Sequence, residues 1–142
     1  MKVKQIMSEN VVSVSQRETV AHAARLMKRS NLGALPVCDE DGRLRGIVTD
    51  RDIVTRCVAG DEDPSDTQIR EIMSRGITTC RVDDDAEELL KAMGDHQIRR
   101  IPVTDGGRVV GMVSLADLSR SEYFSVEAAE AFSEISSNIL RK

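Results

Sequence analysis

The chain has 142 residues, 24 acidic side chains against 20 basic ones for a net charge of −4, and only 2% aromatic residues. That length suits one domain or two small units that share their burial. The mild acidity and scarce rings exclude a general nucleic-acid binder, no apolar run is long enough to span a membrane, and the start MKVKQIMSENVV lacks the apolar core of a secretory signal. The three cysteines, Cys38, Cys57 and Cys80, have neither CxxC nor zinc-ligand spacing. Their odd number suits a reducing cytoplasm, where they read as small buried apolar residues.

Taken in chain order, Val11–Val14 is β-branched and predicts a strand. Thr19 is placed to cap a helix whose apolar face is Val20, Ala23, Ala24 and Met27, with Gly33 near its end. Ala34–Cys38 reads as a strand, with Pro36, like Pro102 in the second copy, expected among the first residues or at the edge of its strand rather than at its centre, because proline cannot donate to a ladder. The Asp41-Gly42 turn joins it as a hairpin to Leu44–Val48, which runs directly into a second helix. The stretch AGDEDPSDTQ reads as an acidic linker.

The order then recurs. IMS at residues 6–8 returns at 72–74, and Val11, Val20, Met27 and Pro36-Val37 fall on Ile77, Ala86, Met93 and Pro102-Val103. After one residue is lost in the turn, Gly46, Thr49, Asp52 and Ile53 fall on Gly111, Ser114, Asp117 and Leu118. In the second copy Asp85 takes the cap position with Glu88 at capping-box spacing, and Leu89, Leu90 and Met93 form the apolar stripe. Gly94 stands near the helix end, and Asp105-Gly106-Gly107 joins strands Arg100–Thr104 and Arg108–Val113. The expectation is an α/β (α+β) fold of two repeated β-α-β-β-α units packed with pseudo-two-fold symmetry, plus a C-terminal amphipathic helix. The boundaries are unit 1 over 1–60, the acidic linker over 61–67, unit 2 over 68–121 and the helical tail over 122–142. In the tail, Val126, Ala129, Phe132, Ile135, Ser136 and Ile139 form a stripe that either docks on the module or builds a homomeric or partner interface.

The residues GIVTDRDIV at 46–54 and GMVSLADLS at 111–119 follow GALPVCDEDGRL and RRIPVTDGGRV. On these the chain resembles a tandem pair of CBS domains (a Bateman module) over residues 1–121, and looks like the small stand-alone bacterial members of that family. The resemblance implies a non-enzymatic regulatory or sensor module. It would bind an adenosyl ligand such as AMP, ADP, ATP or S-adenosylmethionine in an inter-unit cleft, require no cofactor, and pair into a homodimer. It also implies that Thr49 and Ser114 face phosphate while Asp52 and Asp117 face ribose. Read locally, Thr-x-x-Asp and Ser-x-x-Asp have the spacing of a helix cap, and capping and binding do not exclude each other.

The copies differ. Arg51 has no counterpart in the second motif, whereas Arg99 and Arg100 stand where the first copy has Gly33 and Ala34. These arginines are candidates to neutralise phosphate or are simply solvated surface charges. Thr78 and Thr79 could add polar contacts where the first copy has Val12 and Ser13. One preferred site is the expectation. His22 and His96 lack metal-ligand spacing, the methionines read as core filling, and no nucleophile–base pair, phosphate loop or HExxH is present, so no metal site and no catalysis are expected. The alternative reading is a ligand-free dimerisation or adaptor protein with an unidentified protein partner. Neither reading involves a membrane or nucleic acid, and both are cytoplasmic.

Overall fold

The computed structural model describes residues 1–119 and 125–140, and the side chains of 1–119 and 128–137. The first copy comprises β1 (Val14–Ser15), α1 (Val20–Ser30), β2 (Ala34–Cys38), β3 (Leu44–Thr49) and a second helix. That helix opens as one α-turn, α2 (Asp50–Asp52), and continues as a π-helix over Ile53–Val58. The second copy comprises β4 (Cys80–Arg81), α3 (Ala86–His96), β5 (Arg100–Asp105), β6 (Arg108–Ser114) and α4 (Leu115–Ser119), followed by α5 (Ser125–Leu140). This is the expected α/β pattern of repeated β-α-β-β-α units with a trailing helix.

Each copy forms a three-stranded sheet, in the orders β1-β2-β3 and β4-β5-β6. β1 runs parallel to β2 and β2 antiparallel to β3, while β4 runs parallel to β5. The first strand is later and shorter than Val11–Val14 suggests. The Val11 N–H turns back to the Glu9 carbonyl (3.0 Å), so the chain enters the ladder only at Val14.

The prolines correct a second expectation, because Pro36 and Pro102 lie inside the central strands β2 and β5. Pro36 stands opposite Ile47, whose N–H and C=O both bond to Ser74 and therefore point away from β2. In such a pair the missing proline donor would face β1, which pairs with β2 only from Val37 onward. No ladder bond is lost.

The residues gather into two compact units. Unit 2 holds Val12–Ile77 with Gly107–Val109, and unit 1 holds Met1–Val11, Thr78–Gly106 and the chain from Val110 onward. In unit 2, Val20, Ala23 and Met27 of α1 pack with Leu35, Val37, Val48 and Cys57, whereas Ala24 is exposed. The four N–H groups that open α1 are all satisfied: Val20 by the Thr67 carbonyl, Ala21 by Pro64, His22 by the Thr19 hydroxyl and Ala23 by the Thr19 carbonyl. The segment read as a linker thus folds back to cap α1. Its Thr67 is 5% exposed and donates its hydroxyl to the Asp63 carbonyl.

In unit 1, Leu89, Leu90 and Met93 pack with Ile101, Val103, Val113 and Leu118. The capping box expected at Asp85 and Glu88 is not formed. The Asp85 side chain caps nothing and lies 3.4 Å from Lys2 Nζ, while the Ala86 N–H goes to the Met1 carbonyl. The left-handed residues that close α1 and α3 are Asn31 (φ 53°) and Gln97 (φ 57°), not the glycines. Gly94 lies inside α3, where an added Cβ would meet Glu134 of α5. Helix α5 packs on α3 and α4 through Ala128, Ala131 and Ile135. Ala129 and Phe132, expected on the buried stripe, are exposed, and the side chains of Val126 and Ile139 lie outside the described residues. All three cysteines are buried. Burial raises each thiol above its ordinary range, Cys80 to about 12, which keeps it neutral.

Candidate functional site

Each motif opens on a glycine because another segment lies against it. A Cβ on Gly46 would stand 2.6 Å from the Ser74 carbonyl oxygen, and one on Gly111 would stand 2.7 Å from Met7 Sδ and 3.1 Å from the Ser8 carbonyl oxygen. The recurrent IMS segments are what approach. Ser74 exchanges both backbone hydrogen bonds with Ile47, and Ser8 does the same with Met112. The glycine and the IMS triplet are therefore two halves of one contact, made once in each unit.

From the glycine the strand runs into the helix start. The Asp52 N–H donates to Thr49 Oγ1 (3.0 Å) and the Thr49 N–H to Asp52 Oδ2 (3.0 Å). In the second copy the Asp117 N–H donates to Ser114 Oγ (3.0 Å) and the Ser114 N–H to Asp117 Oδ2 (3.2 Å). Both motifs are reciprocal helix caps, as their spacing allows. They also place a hydroxyl beside a carboxylate, which offers a donor–acceptor group and up to four lone-pair sites in one spot.

The surroundings of the two copies differ. The Gly33 carbonyl accepts the Asp50 N–H (3.0 Å), and the Arg99 carbonyl accepts the Leu115 N–H (2.8 Å), so Gly33 and Arg99 are structural equivalents. Arg99 thus starts next to the Ser114 helix start, with its side chain exposed, as is that of Arg100. Arg51 is exposed on the first helix start in unit 2. Thr78 is half-buried and Thr79 exposed, and both lie just before β4 rather than on the strand. Thr49, Arg51 and Asp52 belong to unit 2, and Ser114, Asp117, Arg99, Arg100, Thr78 and Thr79 to unit 1.

Two residues escaped the sequence. Ser74 Oγ lies 3.2 and 3.3 Å from the two Asp52 oxygens, and Arg56 Nε lies 3.8 Å from Oδ1. Asp52 is consequently 6% exposed, whereas Asp117 is half-buried. The signal for Ser74 was its place in the repeated IMS. Nothing in the local pattern marked Arg56.

Other candidates fall away from this chemistry. His22 Nε2 pairs with Glu18 at 2.5 Å, His96 is exposed, and no three His, Cys, Asp or Glu side chains among the described residues are arranged to hold a metal. A cavity of about 250 Å³ between α3 and α5 is lined by Glu87, Lys91, Asp95, Glu130 and Glu134 among others, and by none of the motif residues. No helix among the described residues is long and apolar enough to cross a membrane.

The family model for the CBS domain matches residues 3–59 and 69–122. The uncharacterized protein YlbB of Bacillus subtilis is 41% identical over 136 residues, covering 95% of this chain and 91% of its own. Hypoxic response protein 1 of Mycobacterium tuberculosis is 38% identical over 117 residues, covering 82% of each chain. The crystal structure of Hypoxic Response Protein I, with two coordinated zinc ions, superposes with a TM-score of 0.79 at 38% identity, covering 84% of this chain and 98% of that one. The CBS domain pair of protein MJ0100, in complex with 5′-methylthioadenosine and S-adenosyl-L-methionine, gives a TM-score of 0.77 at 31% identity, covering 89% and 98%.

Proposed function

This chain belongs to the CBS-domain family, and we propose that it is a regulatory module, not an enzyme, that binds an adenosyl ligand of the AMP, ADP, ATP or S-adenosylmethionine type. The observation that carries the reading is the twin pairing of hydroxyl and carboxylate, Thr49 with Asp52 and Ser114 with Asp117, made with the same geometry in both units. A carboxylate of this kind accepts hydrogen bonds from vicinal ribose hydroxyls, and the neighbouring Thr or Ser hydroxyl donates to a phosphate or carboxylate oxygen. Arg51 lies within the first motif and Arg99 bonds through its carbonyl to the start of the second motif's helix, so the exposed guanidinium groups of Arg51, Arg99 and Arg100 are the cations we assign to a phosphate, and Thr78 and Thr79 are further donors. The related MJ0100 pair, which holds two adenosyl compounds, supports the ligand class. With rings so scarce, the adenine would be held by aliphatic side chains and backbone groups. Regulation then requires that ligand and partner affinities be coupled. The working form we propose is a cytoplasmic homodimer.

Isothermal titration of the full chain with AMP, ATP and S-adenosylmethionine tests the reading. Saturable heat is expected for at least one ligand, reduced in Asp52→Ala or Asp117→Ala. Absence of binding at millimolar ligand, or binding untouched by both substitutions together, overturns it. One observation favours the ligand-free adaptor as the second reading: the Asp52 oxygens already accept hydrogen bonds from Thr49 and Ser74.

A further inference from the structure

Asp52 is nearly closed off by its own unit, and the group that closes it is a hydroxyl. Ser74 Oγ sits almost evenly between the two carboxylate oxygens, at 3.2 Å from Oδ1 and 3.3 Å from Oδ2, while Oδ2 also accepts the Thr49 N–H. That hydroxyl is held in place on two sides. The Ser74 N–H and C=O are bonded to Ile47 (2.8 and 3.0 Å). The two residues before it are held by Arg56, whose Nη1 donates to the carbonyls of Ile72 (3.0 Å) and Met73 (3.2 Å) while its Nε faces Asp52 Oδ1 at 3.8 Å. Asp52 thus joins the helix start, the π-helix that carries Arg56 and the IMS segment, and Ser74 presents to the carboxylate the same group that a sugar diol would present.

We propose that Ser74 is an internal stand-in for a ligand hydroxyl. It competes for Asp52, lowers the affinity of the first motif and ties occupancy of that motif to release of residues 72–74. The proposal rests on the adenosyl-binding reading above and deepens it, by naming the residue that sets how readily the first copy binds. A ligand that takes Asp52 exchanges one hydroxyl for another at the carboxylate. It therefore gains only the difference between the two hydrogen bonds, whereas a carboxylate relieved of Ser74 gives the ligand the full bond.

The test is isothermal titration of full-length variants with AMP and with S-adenosylmethionine. An Asp117→Ala background, or Asp117→Asn should the alanine variant fail to fold, leaves the first motif to report alone. Adding Ser74→Ala is expected to tighten binding by about ten- to a hundredfold, the range set by one hydrogen bond to a charged carboxylate. Ser74→Thr, which keeps the hydroxyl, is expected to bind like its parent. A Ser74 that merely braced the fold would weaken binding when removed, so the direction of the change is diagnostic, and thermal melts check that each variant is folded. Equal, weaker or undetectable binding after Ser74→Ala, in a chain whose unsubstituted form binds, overturns the stand-in alone, as does tightening by Ser74→Thr to the same degree. If neither the unsubstituted chain nor any Ser74 variant binds either ligand, the adenosyl reading falls and the stand-in with it.

Discussion

Replacing Gly46 with alanine places a methyl group where two atoms already stand. The ideal Cβ would lie 2.6 Å from the Ser74 carbonyl oxygen and 3.0 Å from Met73 Sδ. The thioether can swing aside, but the carbonyl accepts the Ile47 N–H (3.0 Å) and the adjacent Ser74 N–H donates back to Ile47 (2.8 Å). Relief therefore means withdrawing residues 73–74, which breaks that pair of bonds and uncovers Met73, now 5% exposed. Overpacking of this kind costs about 1–3 kcal/mol, and each lost bond adds about 0.5–1.5 kcal/mol. The lower entropy of the unfolded alanine chain returns about 0.4–1 kcal/mol. We expect Gly46→Ala to lose about 1–5 kcal/mol, centred near 3, taking these opposing contributions together. Gly111→Ala is the internal comparison. Its closest atom is the flexible end of Met7 at 2.7 Å and its backbone neighbour stands back at 3.1 Å, so about 1 kcal/mol is expected. Urea unfolding of the full chain, with slopes checked for equality, gives both numbers. A Gly46→Ala loss below about 1 kcal/mol, or a Gly111→Ala loss equal to or larger than it, refutes the reasoning.

Two further outcomes follow from other parts of the molecule. The Asp39 carboxylate is held below its ordinary range, chiefly by the Arg43 backbone N–H and also by Arg45 and the Asp41 N–H. A depressed carboxylate stabilises above its unfolded pKa and loses that contribution as pH falls through its folded value. Asp39→Asn should therefore lower the melting temperature at pH 7 and make progressively less difference toward about pH 3; a gap that widens with acid contradicts this. On α5, Ile135→Ala should cost about 2–4 kcal/mol in urea unfolding because its side chain is 4% exposed. Phe132→Ser, at 53% exposed, should change stability by less than about 0.5 kcal/mol, and the reverse order would mean that α5 is turned the other way.

Much of the fold is legible locally. Thr19 caps α1 where a Thr before an apolar periodicity should, and the Gly106-Gly107 pair takes positive φ at both positions as a tight hairpin demands. What could not be read is whatever depends on a partner far along the chain. Asp85 has every local mark of a cap, but Lys2, 83 positions away, takes its carboxylate. Pro36 reads as an edge residue until Ser74 is seen to draw the Ile47 backbone away from β2. The stripe read on α5 from Val126, Ala129 and Phe132 does not anticipate the buried face through Ala128, Ala131 and Ile135, which packs where Gly94 of α3 and Ala131 leave room for close approach. At the candidate site, the Thr–Asp and Ser–Asp caps were visible in the spacing, whereas the Ser74 and Arg56 contacts with Asp52 were not.

The distribution of the chain between its compact units also bears on how it can be divided. Met1–Val11, which opens the first sequence repeat, belongs to the unit built from Thr78–Gly106 and the chain from Val110 onward, while residues 68–77, which open the second repeat, belong to the unit that begins at Val12. A cut in the acidic stretch between the repeats would yield two fragments that each carry the wrong leader. One would keep an IMS triplet with no glycine strand to receive it and lose the carbonyls of Pro64 and Thr67 that cap the start of α1; the other would lose the Met1 carbonyl that receives the Ala86 N–H. The sequence repeat and the compact unit therefore have different boundaries. The unit nearest to one continuous stretch of chain is the one that runs from Val12 through the linker to Ile77, completed only by Gly107–Val109.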